Sequence, residues 1–190
     1  MRYYNVFNTD QCEFDKIGQK KVNDLAEVSK NITNERSITA DQIIKDYPNP
    51  PKILTGNYNP CYVPALDEVR MPNLENFFTQ EAFYDAMFHE LVHSSGHKSR
   101  LDRDLSNIFG IDKTQYSKEE LIAEIGSAFL CSIAGIEVDM DNVTAYVKSW
   151  LEVLQDNPSW IVSAAGKAQK ACEHIIPSLS KKMVPDVFAA

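Results

Sequence analysis

The chain has 190 residues and carries 19 lysines and arginines against 27 aspartates and glutamates, which gives a formal net charge of −8. This composition is typical of a globular domain with one substantial core. No apolar run approaches the roughly 20 residues that a membrane span needs, and the N-terminus lacks the basic and apolar segments of a secretory signal. We therefore expect a cytoplasmic protein with no membrane partner. The acidic balance also argues against nucleic acid as a partner, because a phosphate backbone requires a basic surface.

Four cysteines are scattered along the chain without a CxxC pair: Cys12, Cys61, Cys131 and Cys172. In a chain without a secretion signal, this spacing predicts reduced, structural thiols rather than disulfides. Cys131 lies in an apolar helical pattern and is predicted to be part of the core. A cysteine-based zinc site is therefore disfavoured.

The first third of the chain predicts helices followed by short strands. Residues 2–7 are rich in aromatic side chains and predict a strand, and residues 15–47 are mostly helical in pattern until Pro48 and the prolines after it end the helix. Three strand candidates then follow, at 52–55, 61–63 and 68–71. We expect them to form a small, mainly antiparallel sheet.

From Thr79 onward the pattern is helical. Phe83, Met87 and Leu91 form an apolar stripe at intervals of four on a helix that ends at residues 94–96. A polar loop is predicted next, at residues 97–114. Three further helices are predicted after it, and the first of them begins at Ser117: 117–135, 142–155 and 159–176. The fold class predicted is α+β, with a small sheet followed by a helical half.

The segment 89–93 reads His-Glu-Leu-Val-His, the HExxH pattern. Helical residues four apart differ by about 40° around the axis, so His89 and His93 project from one face and suit a zinc ion. Glu90 would lie near a zinc-activated water, where it suits a general base. HExxH alone is short enough to occur by chance on a helix surface. Its place in an amphipathic helix and the carboxylates on the next helix favour a metal site.

A catalytic zinc ion takes three protein ligands and a water, and the candidates for the third are His97, Glu119, Glu120 and Glu124. Glu120 and Glu124 lie one turn apart, so both can face the HExxH helix. Glu120 also fits a capping box with Ser117, which would give it a structural role. Glu124 lies among apolar residues, where an unpaired carboxylate is costly. We expect one of these two to bind the metal and the other to hydrogen-bond a ligand histidine.

Several separated segments resemble the metallopeptidase domain of ArdC-like antirestriction proteins, which are encoded on plasmids and other mobile elements: 62–72, 83–101, 116–131, 145–154 and 164–175. The resemblance implies a zincin-like fold, in which the edge strand of a small sheet holds an extended substrate above the zinc helix. It implies that this small sheet is mixed. It also implies His89 and His93 as ligands and Glu90 as the general base. The segment 119–126 resembles the third-ligand helix of related zincins. That likeness assigns Glu120 to the metal and Glu124 to a supporting position, with one zinc ion per chain.

His97 is a further alternative ligand, ranked behind the two glutamates. It follows His93 by four residues, but Gly96 is predicted to end the helix first. The longer HExxHxxGxxH pattern fails because Ser99 stands where its last histidine would fall. The resemblance implies that His97 and Arg100 line the cleft, and a loop-stabilising role explains both equally well.

ArdC-like proteins carry a preceding domain that binds single-stranded DNA, and residues 1–15 resemble only the end of that domain. We therefore divide the chain into this remnant, a metallopeptidase domain at 16–180 and a tail at 181–190. DNA binding is not carried over, in agreement with the acidic charge.

The sequence favours a zinc-dependent metallopeptidase that acts on a protein or peptide. The alternative is a non-catalytic antirestriction protein with a structural metal site, whose partner is a restriction enzyme bound through the acidic surface. The intact Glu90 favours the enzyme, because a structural site has no need of that carboxylate.

Overall fold

The computed structural model describes residues 34–105, 113–137 and 158–182, together with Lys20. In these residues a helix precedes three strands, and helices follow: α1 Ile38–Asp46, β1 Lys52–Gly56, β2 Cys61–Val63, β3 Glu68–Pro72, α2 Gln80–Ser95, α3 Lys113–Ala134, α4 Ser159–Ile175 and α5 Pro177–Lys182. The predicted α+β class is confirmed. The expectations for residues 2–7, 15–19, 21–33 and 142–155 lie outside the described residues.

The sheet has β3 at its centre, between β1 and β2. β3 pairs in parallel with β1, so that Lys52 lies opposite Glu68, and antiparallel with β2, so that Tyr62 lies opposite Val69. The strand positions agree with the prediction to within one residue. The pairing, however, is mixed where mainly antiparallel pairing was expected, because side-chain alternation does not say which neighbour a strand pairs with. Tyr62 and Val69 are buried against the helices.

Helix α2 carries the HExxH segment and has the predicted limits. The Thr79 hydroxyl accepts a hydrogen bond from the Ala82 backbone N–H at the N-terminus, and Gly96 is the C-terminal cap. The predicted apolar stripe is buried, with Phe83 2% and Leu91 0% exposed. This face anchors the helix beneath the sheet and leaves the histidines to face α3.

Helix α3 begins at Lys113, four residues before the predicted start at Ser117. Lysine and glutamine in this added turn are good helix formers, and no proline or glycine interrupts it. Ser117 therefore lies inside the helix and is not its N-cap. The capping-box alternative for Glu120 does not apply, which leaves its carboxylate available for the site.

The two helices approach each other closely at Gly126. A Cβ atom placed on Gly126 would lie 2.7 Å from one Val92 methyl and 2.9 Å from the other. Val92 is fully buried, and Cys172 of α4 donates from Sγ to the Gly126 carbonyl on the other side. Cys131, predicted to be in the core, is also fully buried. The missing side chain at Gly126 thus lets α3 lie against the HExxH helix.

Among the described residues, no helix combines the length and the apolar character needed to cross a membrane.

We predict that Gly126→Ala lowers the free energy of unfolding by about 1–3 kcal/mol, because the added methyl overlaps Val92. Gly166→Ala is the matched control. Gly166 is exposed in α4 with nothing within 4 Å of an added Cβ, so its replacement should raise stability by about 0.5–1 kcal/mol. Urea denaturation measures both, and equal effects of the two substitutions would contradict the packing described.

Candidate metal centre

His89 and His93 converge on Glu120 of α3. The two Nε2 atoms lie 3.0 Å apart, and the Glu120 carboxylate oxygens lie 3.3 Å from Nε2 of His93 and 3.7 Å from Nε2 of His89. Each of the three residues offers a donor atom, and these atoms all lie within 4.8 Å of one another. Two imidazole nitrogens and one carboxylate oxygen are suitable ligands for a divalent transition-metal ion. The residues therefore fit the metal implied by the sequence resemblance.

The outer nitrogen of each imidazole faces a different carboxylate. Nδ1 of His93 lies 3.3 Å from Oε1 of Glu119, and Nδ1 of His89 lies 3.6 Å from Oε1 of Glu124. A carboxylate at Nδ1 favours the tautomer in which Nε2 is free to bind a metal. Glu124 lies beside His89, and the family resemblance implies a supporting position for it. Glu119 was considered only as a ligand, and its place beside His93 was missed.

Arg103, in the loop after α2, was also missed. Its Nη2 and Nε donate to the two oxygens of Glu119 at 2.7 and 3.2 Å. Glu119 is only 6% exposed, and a buried carboxylate requires a cation or hydrogen-bond donors. The signal that could have found this pair is a glutamate in an apolar helical pattern that follows an arginine-containing loop.

The pKa values of the two histidines are shifted in opposite directions. Burial by itself lowers the pKa of His93, but its hydrogen bonds with Glu119 and Glu120 raise that pKa to about 9. Burial and the neighbouring His93 lower the pKa of His89 to about 3. A metal ion that binds Nε2 of His93 would therefore compete with a proton.

Glu124 and Glu119 differ in their surroundings. Burial, together with the charges of Asp85 and Glu120, raises the pKa of Glu124 to about 7. Burial also acts to raise the pKa of Glu119, but hydrogen bonds from His93 and Arg103 keep it below its usual value. His93 and Arg103 thus favour the ionised form of Glu119, whereas the surroundings of Glu124 disfavour its ionised form.

Glu90 lies outside the ligand group but beside it. Its side chain is 8% exposed. Burial raises its pKa, whereas the nearby His93 and the backbone of Tyr62 act to lower it. Because Tyr62 belongs to β2, the carboxylate is positioned next to the edge strand of the sheet.

His97 and Arg100 are held within the loop after α2. Nδ1 of His97 lies 2.8 Å from the Ser99 hydroxyl, and the three-residue metal cluster does not include it. The Arg100 side chain is fully buried and forms an ion pair with Asp67. Arg100 therefore stabilises the loop and does not line the cleft, since its guanidinium is enclosed by the groups it binds.

Comparison with known proteins supports this architecture. A family model described as a zincin-like metallopeptidase matches residues 39–167. DNA primase TraC of Escherichia coli is 39% identical over 122 residues, which cover 64% of this chain but 11% of the primase. The resemblance inferred from the sequence is confirmed at the level of the family and the fold.

Two crystal structures of the antirestriction protein ArdC from plasmid R388 are also similar. The Mn(II)-bound structure superposes with a TM-score of 0.64 at 35% identity and covers 76% of this chain and 53% of ArdC. The metal-free structure has a TM-score of 0.63 at 32% identity, and the match covers 94% of this chain and 61% of ArdC. The chain thus spans little more than half of ArdC and about a tenth of the primase.

We predict that metal affinity separates the candidate ligands. Glu120→Ala should weaken binding most, because it removes a donor atom, and Glu124→Ala should weaken it by about 10–100-fold, because it only frees the His89 ring. His97→Ala should leave the affinity unchanged. Competition titration against a chromophoric chelator measures all three. Equal losses for the two glutamates, or a loss for His97→Ala, would contradict the assignment.

Proposed function

The chain belongs to the zincin-like metallopeptidase family, and we propose that it hydrolyses peptide bonds with a zinc ion held by His89, His93 and Glu120. The observation that carries this proposal is the position of Glu90. Its buried carboxylate lies beside the candidate ligands without belonging to their group, and close to the backbone of Tyr62 in the edge strand. A metal site with a purely structural role has no use for such a carboxylate.

The residues around the metal have separate roles in this reaction. A bound divalent ion would polarise the scissile carbonyl and lower the pKa of water. The Glu90 carboxylate accepts a proton from the attacking water and then gives it to the nitrogen of the leaving amine. Burial raises the pKa of Glu90, which brings the carboxylate closer to the range in which it can both accept and release a proton. Glu119 and Glu124 orient the imidazoles with Nε2 inward.

The edge strand supports a peptide or protein as the substrate. β2 pairs with β3 on one side only, so within the described sheet its other edge has backbone groups available for an added strand. An extended peptide that pairs there would have its backbone beside Glu90, because the Glu90 carboxylate lies close to the backbone of Tyr62 in that strand. Backbone pairing requires no particular side chain, so this geometry favours extended polypeptide as a class.

A second candidate function is a non-catalytic antirestriction activity, with a restriction enzyme as the partner. It is supported by the similarity to ArdC of plasmid R388, which is an antirestriction protein, and by the net charge of −8. An acidic surface can occupy the basic surface with which a nuclease holds DNA. In this case the metal stabilises the fold, and Glu90 has no chemical role.

We predict that Glu90→Gln lowers the rate of peptide hydrolysis by about 10²–10⁴-fold, because an amide cannot accept the proton of the attacking water. Metal content and stability should remain close to those of the unmodified chain, since the ligands are untouched. Glu81→Gln is the matched control, because the same change lies about two and a half turns away on α2 and should leave the rate unchanged. Fluorogenic peptide cleavage and elemental analysis provide the two measurements.

The same variant separates the two candidate functions. Hydrolysis that survives Glu90→Gln would contradict the proposed mechanism. Protection of DNA from restriction that survives Glu90→Gln, in a chain that shows no hydrolysis, would favour the second candidate.

A further inference from the structure

The loop after α2 contains two buried arginines that make similar contacts. Each donates to a backbone carbonyl in the last turn of α2, Arg100 to Ser94 at 2.8 Å and Arg103 to Val92 at 2.7 Å. Each also pairs with one carboxylate, Arg100 with Asp67 and Arg103 with Glu119. The two arginines differ in the surroundings of the carboxylate that each one binds. Asp67 belongs to the turn before β3, whereas Glu119 contacts a metal ligand.

The contacts of Arg103 continue to the metal site in two steps. Its guanidinium holds both oxygens of Glu119, and Oε1 of Glu119 faces Nδ1 of His93 at 3.3 Å. The opposite nitrogen of the same ring, Nε2, faces Glu120. The ring of His93 is therefore fixed between two carboxylates, and the outer one is fixed by Arg103.

We propose that Arg103 is a positioning residue for the metal ligand His93 and acts through Glu119. This inference rests on the metal site of the proposed function. A planar guanidinium that binds both oxygens of a carboxylate sets the plane of that carboxylate as well as its distance. Arg103 thereby fixes the direction from which Glu119 accepts the Nδ1–H of His93, and hence the direction in which Nε2 points.

Arg103 is itself held by a close fit against Gly96. Its Nη1 donates to the Ser95 hydroxyl at 2.8 Å, and its backbone N–H donates to the Gly96 carbonyl at 2.9 Å. A Cβ atom on Gly96 would lie 2.9 Å from Nη2 of Arg103 and 3.0 Å from a Leu105 methyl. Gly96 has an ordinary helical backbone with φ −76°, so alanine there displaces the guanidinium without backbone strain.

The test compares zinc affinity with stability in matched variants. Arg103→Met removes the guanidinium and keeps much of the apolar stem, and Arg100→Met makes the same change in the arginine whose partner touches no ligand of the cluster. The zinc dissociation constant is measured by chelator competition, and the thermal unfolding midpoint is measured on the EDTA-treated chain. The first readout reports the site, and the second reports the fold.

Arg103→Met should weaken zinc binding by about 10–100-fold, whereas Arg100→Met should lower the unfolding midpoint and leave the affinity unchanged. Arg103→Lys keeps the positive charge but cannot donate to both oxygens of Glu119 in the plane of a guanidinium, so it should give an intermediate zinc affinity. Glu119→Gln should weaken binding as Arg103→Met does, and the double variant should lose no more than either single one, because both act through one contact.

Equal zinc affinities for Arg103→Met and Arg100→Met would overturn the inference, as would additive losses in the double variant. If Arg103→Met does not fold, Gly96→Ala takes its place and must weaken zinc binding by displacing the guanidinium; an unchanged affinity there would overturn the inference equally. A wild-type chain that binds no zinc would overturn the proposed function and this inference with it. That result differs from a failure of the Arg103 inference alone, in which the wild-type chain binds zinc and Arg103→Met binds it equally well.

Discussion

The close contact of α2 with α3 at Gly126 is the constraint on which the metal centre depends. HExxH supplies two imidazoles from one helix, but the third donor and both supporting carboxylates lie on α3. The sequence separation between the two helices gives them no fixed relation, so only packing can set their distance and rotation. A glycine opposite the two methyls of Val92 allows that packing.

The candidate ligands and their supporting carboxylates are strongly coupled because the site is made between helices. His93 is 3% exposed and Glu119 is 6% exposed, so neither can relax into water when its partner is removed. Arg103 adds a second connection, since it joins the last turn of α2 to the first half of α3. The arrangement holds the imidazoles in place before any ion binds, which reduces the cost of ordering them.

Local patterns in the sequence predicted most of the local structure. The three strands, the limits of α2 and the class of the fold followed from apolar periodicity, prolines and capping residues. His89 and His93 could be paired because both lie on one helix at a known angle. The sequence predicted that α3 starts at Ser117, later than it does, because serine is a common N-cap residue. A helix can also accommodate a serine in its interior, as α3 does.

The sequence alone could not decide which α3 side chains face the histidines, because this depends on how α3 is rotated against α2. Glu120 and Glu124 share a face, so periodicity alone could not say which reaches the metal. The geometry groups Glu120 with the histidines. Glu119 and Arg103 were missed because their partners are 26 and 16 residues away in sequence, and no local rule links residues at that distance. The parallel pairing of β1 did not follow from the strand patterns for the same reason, although the family resemblance implied a mixed sheet.

The family places the chain among proteins with different overall descriptions, a DNA primase and an antirestriction protein, each longer than the matched region. A fold shared in this way does not determine an activity, and the chemistry must be argued from the site itself. The site offers two imidazoles, a carboxylate and a separate buried Glu90. This combination is what a hydrolytic metal centre requires.

The most direct test of this account is X-ray absorption spectroscopy of the chain loaded with one equivalent of zinc. The account predicts a first shell of nitrogen and oxygen at about 2.0–2.2 Å, with outer-shell scattering from two imidazoles. A sulfur scatterer at about 2.3 Å would show that a cysteine binds the metal. Scattering from three imidazoles would show that a third histidine, His97 or His174, binds the metal. Either result would contradict the site of His89, His93 and Glu120.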